Sequence, residues 1–142
     1  MAALSFYDSN ILLYAISNAP EEAHKQARAQ RLIDEPDWAL SAQVLQEFYV
    51  NAARVTRPLL SRPAALEFIE LLLQDHPCES VDAELVQEAC VLQARFQLSY
   101  WDAAIVAAAQ RSGAELLLSE DLNHGQFFGS VQVINPFLTA SH

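Results

Sequence analysis

Apolar residues recur along this chain in two rhythms. Short runs of strand-forming length and type occur at Leu4 to Tyr7, Trp38 to Leu40, Glu115 to Leu118 and Val131 to Ile134, with a weaker one near Ser80 and Val81. The intervals repeat apolar residues at helical spacing. They predict helices from Ser9 to Ser17, Glu21 to Ile33, Ala42 to Arg54, Arg62 to Leu73, Ala83 to Phe96 and Trp101 to Ser112, the last stopped by Gly113. Strands alternating with helices imply an α/β fold with a mainly parallel sheet covered on both faces. Ligands of such sheets bind beyond the carboxyl ends of the strands, so the residues that follow each strand are the place to look for chemistry.

Carboxylates stand there. Asp8 directly follows LSFY, and Glu120 and Asp121 follow ELLLS. After WALS comes a helix whose apolar stripe is Val44, Leu45, Phe48, Tyr49 and Ala52, with Glu47 at its rim and Asn51 one turn on. The late helix LSYWDAAIVAAAQ carries Asp102 at the head of an apolar stripe, because Ile105, Val106 and Ala109 follow at offsets of three, four and seven. A carboxylate placed there needs a partner, since burying it unpaired costs several kcal/mol or makes it take up a proton.

Each acid also has a plain structural use. Asp8 or Ser9 suits the N-cap of the first helix. Ser99 and Asp102 have the spacing of a capping box. Asp121 and Asn123 suit an Asx turn, and Glu47 can reach solvent from the edge of its helix. A divalent cation shared by Asp8, Glu47, Asp102 and Asp121 accounts for all four together. Hard oxygen donors without His or Cys suit Mg²⁺ or Mn²⁺.

Composition alters this picture in a few places. The 142 residues, 52% of them hydrophobic, fit a single domain with an extensive core, expected over 1–142. No apolar run reaches membrane-spanning length, and MAALSFYDSN lacks a signal-like pattern, so a soluble, cytoplasmic protein is expected. Cys78 and Cys90 form no CxxC pair and are read as buried thiols, and His76 with Cys78 makes too small a set for zinc. A net charge of −10 ordinarily repels nucleic acid, but a bound cation reverses the local sign. With three glycines and no GxxxxGK[ST] or GxGxxG pattern, the chain has no glycine-rich phosphate loop.

FYDSNILLYA, SAQVLQEFYVN, LSYWDAAIVAAA, LLLSEDLNHGQ and VINPF, in this order over nearly the whole chain, resemble the PIN-domain ribonucleases, above all the VapC-type toxins of bacterial toxin–antitoxin pairs. The resemblance implies a three-layer α/β/α fold and Mg²⁺- or Mn²⁺-dependent hydrolysis of RNA by in-line attack of water, leaving a 5′-phosphate. It puts the family's acids at Asp8, Glu47, Asp102 and Asp121, with Asp8 and Asp102 as the main metal ligands. Ser119 matches a small hydroxyl residue of the family, and Asn10 and Asn123 become groups that orient the acids. It also implies a homodimer restrained by a cognate antitoxin. A housekeeping nuclease of the same family and a non-catalytic module with a relic pocket are the alternatives.

Two basic clusters are available for tracking RNA: Arg54, Arg57 and Arg62, and, more diluted by acids, Lys25, Arg28 and Arg31. Both also read as solvated surface. A phosphoacceptor receiver domain, which resembles this arrangement in gathering acids at strand ends, needs a lysine after a late strand, whereas Lys25 is the only lysine here.

Overall fold

The computed structural model describes residues 4–138; the first three and last four residues of the expected 1–142 domain lie outside the described residues. The chain forms β1 (Ser5–Tyr7), α1 (Ser9–Ala15), α2 (Ala23–Asp34), β2 (Trp38–Ser41), α3 (Ala42–Ala52), α4 (Arg62–Asp75), β3 (Cys78–Glu79), α5 (Ala83–Phe96), α6 (Tyr100–Arg111), β4 (Leu116–Leu118), β5 (Phe127–Phe128) and β6 (Val131–Ile134). A short 3-10 turn, Pro20–Glu22, precedes α2. The strands join in the order β3-β2-β1-β4-β6-β5, all parallel except β5.

That order explains the layers. The crossovers β1 to β2 and β2 to β3 run toward one edge, and the crossover β3 to β4 runs back past them. Right-handed connections then place α1 to α4 on one face and α5 with α6 on the other. The packing agrees, because α1 lies against α2 and α3, α3 against α4, and α5 against α6. The expected three-layer α/β/α fold with a mainly parallel sheet is the observed one. The direction of the connections reverses between β1 and β4, which makes the crevice beyond their carboxyl ends the switch point of the sheet.

Central strands are mostly apolar, since both faces are covered: all four residues of β2 are buried, its closing Ser41 included. Tyr7 stacks on Trp38 at 4.3 Å, and Trp38 on His76 at 3.7 Å. His76 Nδ1 also lies 3.1 Å from the Trp38 carbonyl, which accounts for this histidine without a metal. Helix α6 is buried on more than the expected stripe: Ala103 to Ala109 are all inaccessible, because its five alanines let α5 and the sheet approach from both sides. Gly113, at φ +79°, ends it as expected.

Three expectations need correction. The weak strand lies at Cys78–Glu79 and not at Ser80 and Val81, because the register pairs Leu40 with Cys78 and the chain must turn at once to Asp82, the N-cap of α5. Strand β5 was not foreseen; it forms a hairpin with β6 across Gly129 and Ser130, Gly129 supplying the positive φ (+62°) that such a turn needs. Cys90 is exposed and only Cys78 is partly covered, since Cys90 falls off the Leu85, Ala89, Leu92 face of α5. Among the described residues no helix is long and apolar enough to cross a membrane.

Candidate active site

Register brings the first acid to the crevice. Tyr7 of β1 pairs with Leu118 of β4, so the next residues, Asp8 and Ser119, leave the sheet side by side. The Asp8 amide donates to the Leu118 carbonyl and the Ser119 amide to the Ile134 carbonyl, both at 3.0 Å, which continues the ladder one step past the strands. Both residues are buried. Asp8 is also the N-cap of α1: its Oδ1 accepts from the Ser9 amide at 2.7 Å, while its Oδ2 accepts from Ser119 Oγ at 2.7 Å. The capping use and a place in the acidic cluster are therefore compatible, because each takes one oxygen.

Around Asp8 the other groups follow from the helices that start at this edge. Ser41 ends β2 and caps α3 through the Val44 amide, which starts that helix beside the crevice. One turn in, Gln43 Nε2 donates to Glu47 Oε2 at 3.3 Å and to the Trp101 carbonyl at 3.1 Å, tying α3 to the start of α6. Ser9 Oγ donates to Glu47 Oε1 at 3.1 Å, so α1 and α3 share this carboxylate. Asn10 Nδ2 donates to Asp121 Oδ2 at 3.2 Å and to Ser119 Oγ at 3.4 Å, and Ser119 Oγ accepts from the Asp121 amide at 3.1 Å.

Asp102 lies in the first turn of α6. Ser99 Oγ caps the helix by accepting from the Asp102 amide at 3.1 Å. Among the described residues no bond returns from the Asp102 carboxylate to the Ser99 amide, so only half of the capping box is made. Asn123 Nδ2 instead donates to Gln126 Oε1 within its own turn. It is not among the groups that hold the acids.

Electrostatics record the crowding. Burial pushes the Asp8 carboxyl up to about 6, the charges of Glu47 and Asp121 push the same way, and the bonds from Ser119 and Ser9 oppose. Asp102 is raised by burial and by Asp121, against the Ser99 hydroxyl. Asp121 thus acts on both Asp8 and Asp102. Among the described residues, none of these four acids has a Lys or Arg ion-pair partner.

The donor set fits a hard divalent cation by its chemistry: carboxylate oxygens, uncompensated negative charge and no imidazole or thiolate beside them. The side chains are not gathered around a point, however. Among the described residues no three His, Cys, Asp or Glu groups are arranged to hold an ion, because their oxygens face Ser9, Asn10, Gln43 and Ser119.

Glu120 departs from its neighbour. It binds Lys25 Nζ at 2.7 Å and accepts from the Tyr14 hydroxyl, and Lys25 lies 4.8 Å from the centre of the Tyr14 ring. This tether fixes the segment between Ser119 and Asp121. Of the basic residues, Arg28 Nε donates to the Pro136 carbonyl, while Arg57 and Arg62 are exposed. Arg54 lies just past α3, where its Nε donates to the carbonyls of Thr56 and Arg57 at 3.1 and 2.9 Å.

Gln43, Ser9, Tyr14 and Lys25 were not singled out as parts of the site. Gln43 had a readable signal, since it precedes Glu47 by four residues and so shares its helix face. The partners of Tyr14 and Lys25 are about a hundred residues away and left no local trace.

The PIN domain family model matches residues 5–127. Among solved structures, a chain of a toxin–antitoxin complex from Klebsiella pneumoniae superimposes with a TM-score of 0.67 at 18% identity, covering 94% of this chain and 98% of that one. FitAcB from Neisseria gonorrhoeae gives 0.64 at 18% identity, covering 94% and 99%. VapC20 of Mycobacterium tuberculosis, a toxin that cleaves the sarcin–ricin loop, gives 0.64 at 20%, covering 82% and 89%. At these identities the likeness is one of fold. No match was found among curated proteins. With the family model matching most of its length, the chain belongs to the PIN-domain family.

Proposed function

We propose that this protein is a divalent-metal-dependent endoribonuclease, the toxin component of a toxin–antitoxin pair. The observation that carries the reading is the meeting of Asp8 with Ser119, Asp121 and Glu47 at the switch point of the sheet, with no Lys or Arg among the described residues paired to these acids. Membership of the PIN family and a fold shared with toxin–antitoxin proteins support the same class of activity.

Asp8, Glu47, Asp102 and Asp121 are the residues that would hold the metal, which we assign as Mg²⁺ or Mn²⁺. When bound, the cation supplies positive charge for the phosphate oxygens and acidifies water for in-line attack. The protein's own groups do the rest. Asp8 is fixed by two hydrogen bonds, both of which favour its ionised form. Glu47, half-exposed and steered by Gln43 and Ser9, is placed to take a proton from the attacking water. Asn10 holds Asp121 at the exposed rim, where the chain of an RNA substrate enters.

An antitoxin partner and a homodimer complete the reading. The structural neighbours from Rickettsia felis and Salmonella typhimurium were solved as DNA-bound VapBC complexes, and a carboxylate-lined crevice suits an arginine from such a partner.

The test is incubation of the purified protein with single-stranded RNA and Mg²⁺ or Mn²⁺. Cleavage that leaves 5′-phosphate ends and stops with a chelator is expected. Intact RNA under all metal conditions overturns the nuclease assignment.

A further inference from the structure

Next to the acidic crevice, between α1 with its following loop and the end of α3, lies a cavity of about 370 Å³ lined by Asn10, Tyr14, Asn18, Asn51 and Arg54 among others. Two of its walls are joined to the site. Asn10 binds Asp121, and Asn51 Nδ2 donates to the Glu47 main-chain carbonyl at 2.8 Å. The cavity therefore opens beside the acids, and its size suits one nucleotide unit.

Arg54 gives it a cation in an otherwise acidic neighbourhood. Its guanidinium is oriented by the two bonds from Nε to the Thr56 and Arg57 carbonyls, and among the described residues it has no carboxylate partner. The two terminal nitrogens of that fork remain for a ligand, and a planar fork held in place is suited to a phosphate. The one acidic side chain lining the cavity, Glu22, is engaged by the Ser17 hydroxyl at 2.6 Å. Asn10 is taken up by Asp121, Ser119 and the Glu120 amide, while the Asn18 amide and the remaining N–H and the Oδ1 of Asn51 offer donors and acceptors to a sugar or base.

We infer that this cavity is a nucleotide subsite in which Arg54 holds a backbone phosphate flanking the scissile one. The inference rests on the ribonuclease reading. It gives Arg54 a role that Arg57 and Arg62 do not share, as neither lines the cavity. An acidic peptide would also find the cation, but the polar amides and the continuity with the crevice favour RNA.

The experiment scans a methylphosphonate linkage along a short single-stranded RNA and measures Mn²⁺-dependent cleavage by the parent, Arg54→Gln and, as a control on α5, Arg95→Gln. In the parent and the control, neutralising one flanking phosphate should raise KM by roughly tenfold. Arg54→Gln should show that loss on unmodified RNA, be insensitive at the same linkage, and have a salt dependence of log(kcat/KM) shallower by about 0.7. The scan on the parent needs no variant, so misfolding of Arg54→Gln does not blunt the test. If the parent cleaves but no flanking linkage is sensitive, or if Arg54→Gln keeps the parent's profile, the subsite is overturned and the nuclease reading stands. A parent that cleaves no RNA overturns both.

Discussion

Ser119 Oγ donates to Asp8 Oδ2 at 2.7 Å, across two strands that meet at the switch point of the sheet. The bond favours the ionised carboxylate, because it lowers a carboxyl that burial has raised. Ser119→Ala should therefore cost more above pH 6, where Asp8 is charged, than at pH 5. About 2 kcal/mol at pH 8 is expected, since the bond is charge-assisted and buried. The acid limb of the activity profile should also move to higher pH. Equal destabilisation at both pH values in chemical denaturation would contradict this.

The pH dependence of stability has a definite sign. Asp8 holds its proton to about 6 in the folded protein, against 3.8 for the unperturbed group. Between those values the folded state binds more protons than the unfolded one, so stability falls as pH rises through this window and levels off above it. The full effect is on the order of 3 kcal/mol. Without metal, Asp8→Asn should lose the Asp8 part of this fall, keeping that of the raised Asp102 carboxyl, and should be more stable than the parent at pH 7.5. Urea denaturation from pH 4 to 8 reads both curves.

Asp102 is raised by burial and by Asp121, against the Ser99 hydroxyl, and its amide donates to the Ser99 cap. Four thermal melts at pH 7.5 separate a metal ligand from a capping group: parent and Asp102→Asn, each with chelator and with millimolar Mn²⁺. As a ligand, Asp102 predicts a variant at least as stable as the parent in chelator, and a Mn²⁺ shift largely confined to the parent. Capping predicts a loss of about 0.5 to 1 kcal/mol in both conditions.

Gln43 is buried and holds both Glu47 and the start of α6. Gln43→Ala should lower kcat by roughly tenfold with little change in KM, because Glu47 keeps its charge but loses a fixed orientation. The steady-state constants on one RNA substrate check this.

The order of strands and helices was legible because both rhythms are strong, Asp8 was legible because it sits directly after an apolar run, and Asp121 because it follows the end of another within three residues. Glu47 showed in its place at the rim of the α3 stripe. What escaped the sequence had a physical reason. Two residues, Phe127 and Phe128, are too few to show alternation, although the Gly129–Ser130 pair before Val131 is a hairpin signal. The bonds of Lys25 and Tyr14 to Glu120 arise from tertiary packing of α1 and α2 against the loop after β4. For Asp102 the helix pattern predicted a single buried stripe, whereas the alanines bury nearly the whole helix and leave Asp102 half-exposed at its open end.

Cleavage of single-stranded RNA with Mn²⁺ by the parent and by Asp8→Asn, side by side, tests the central claim most directly. Asp8 is the buried acid at the centre of the crevice, and asparagine preserves its size and its capping oxygen. The account predicts that the parent cleaves, and that the folded variant loses turnover by at least a hundredfold, as expected when a cation loses a principal ligand. Parent-like cleavage by a folded Asp8→Asn would contradict it.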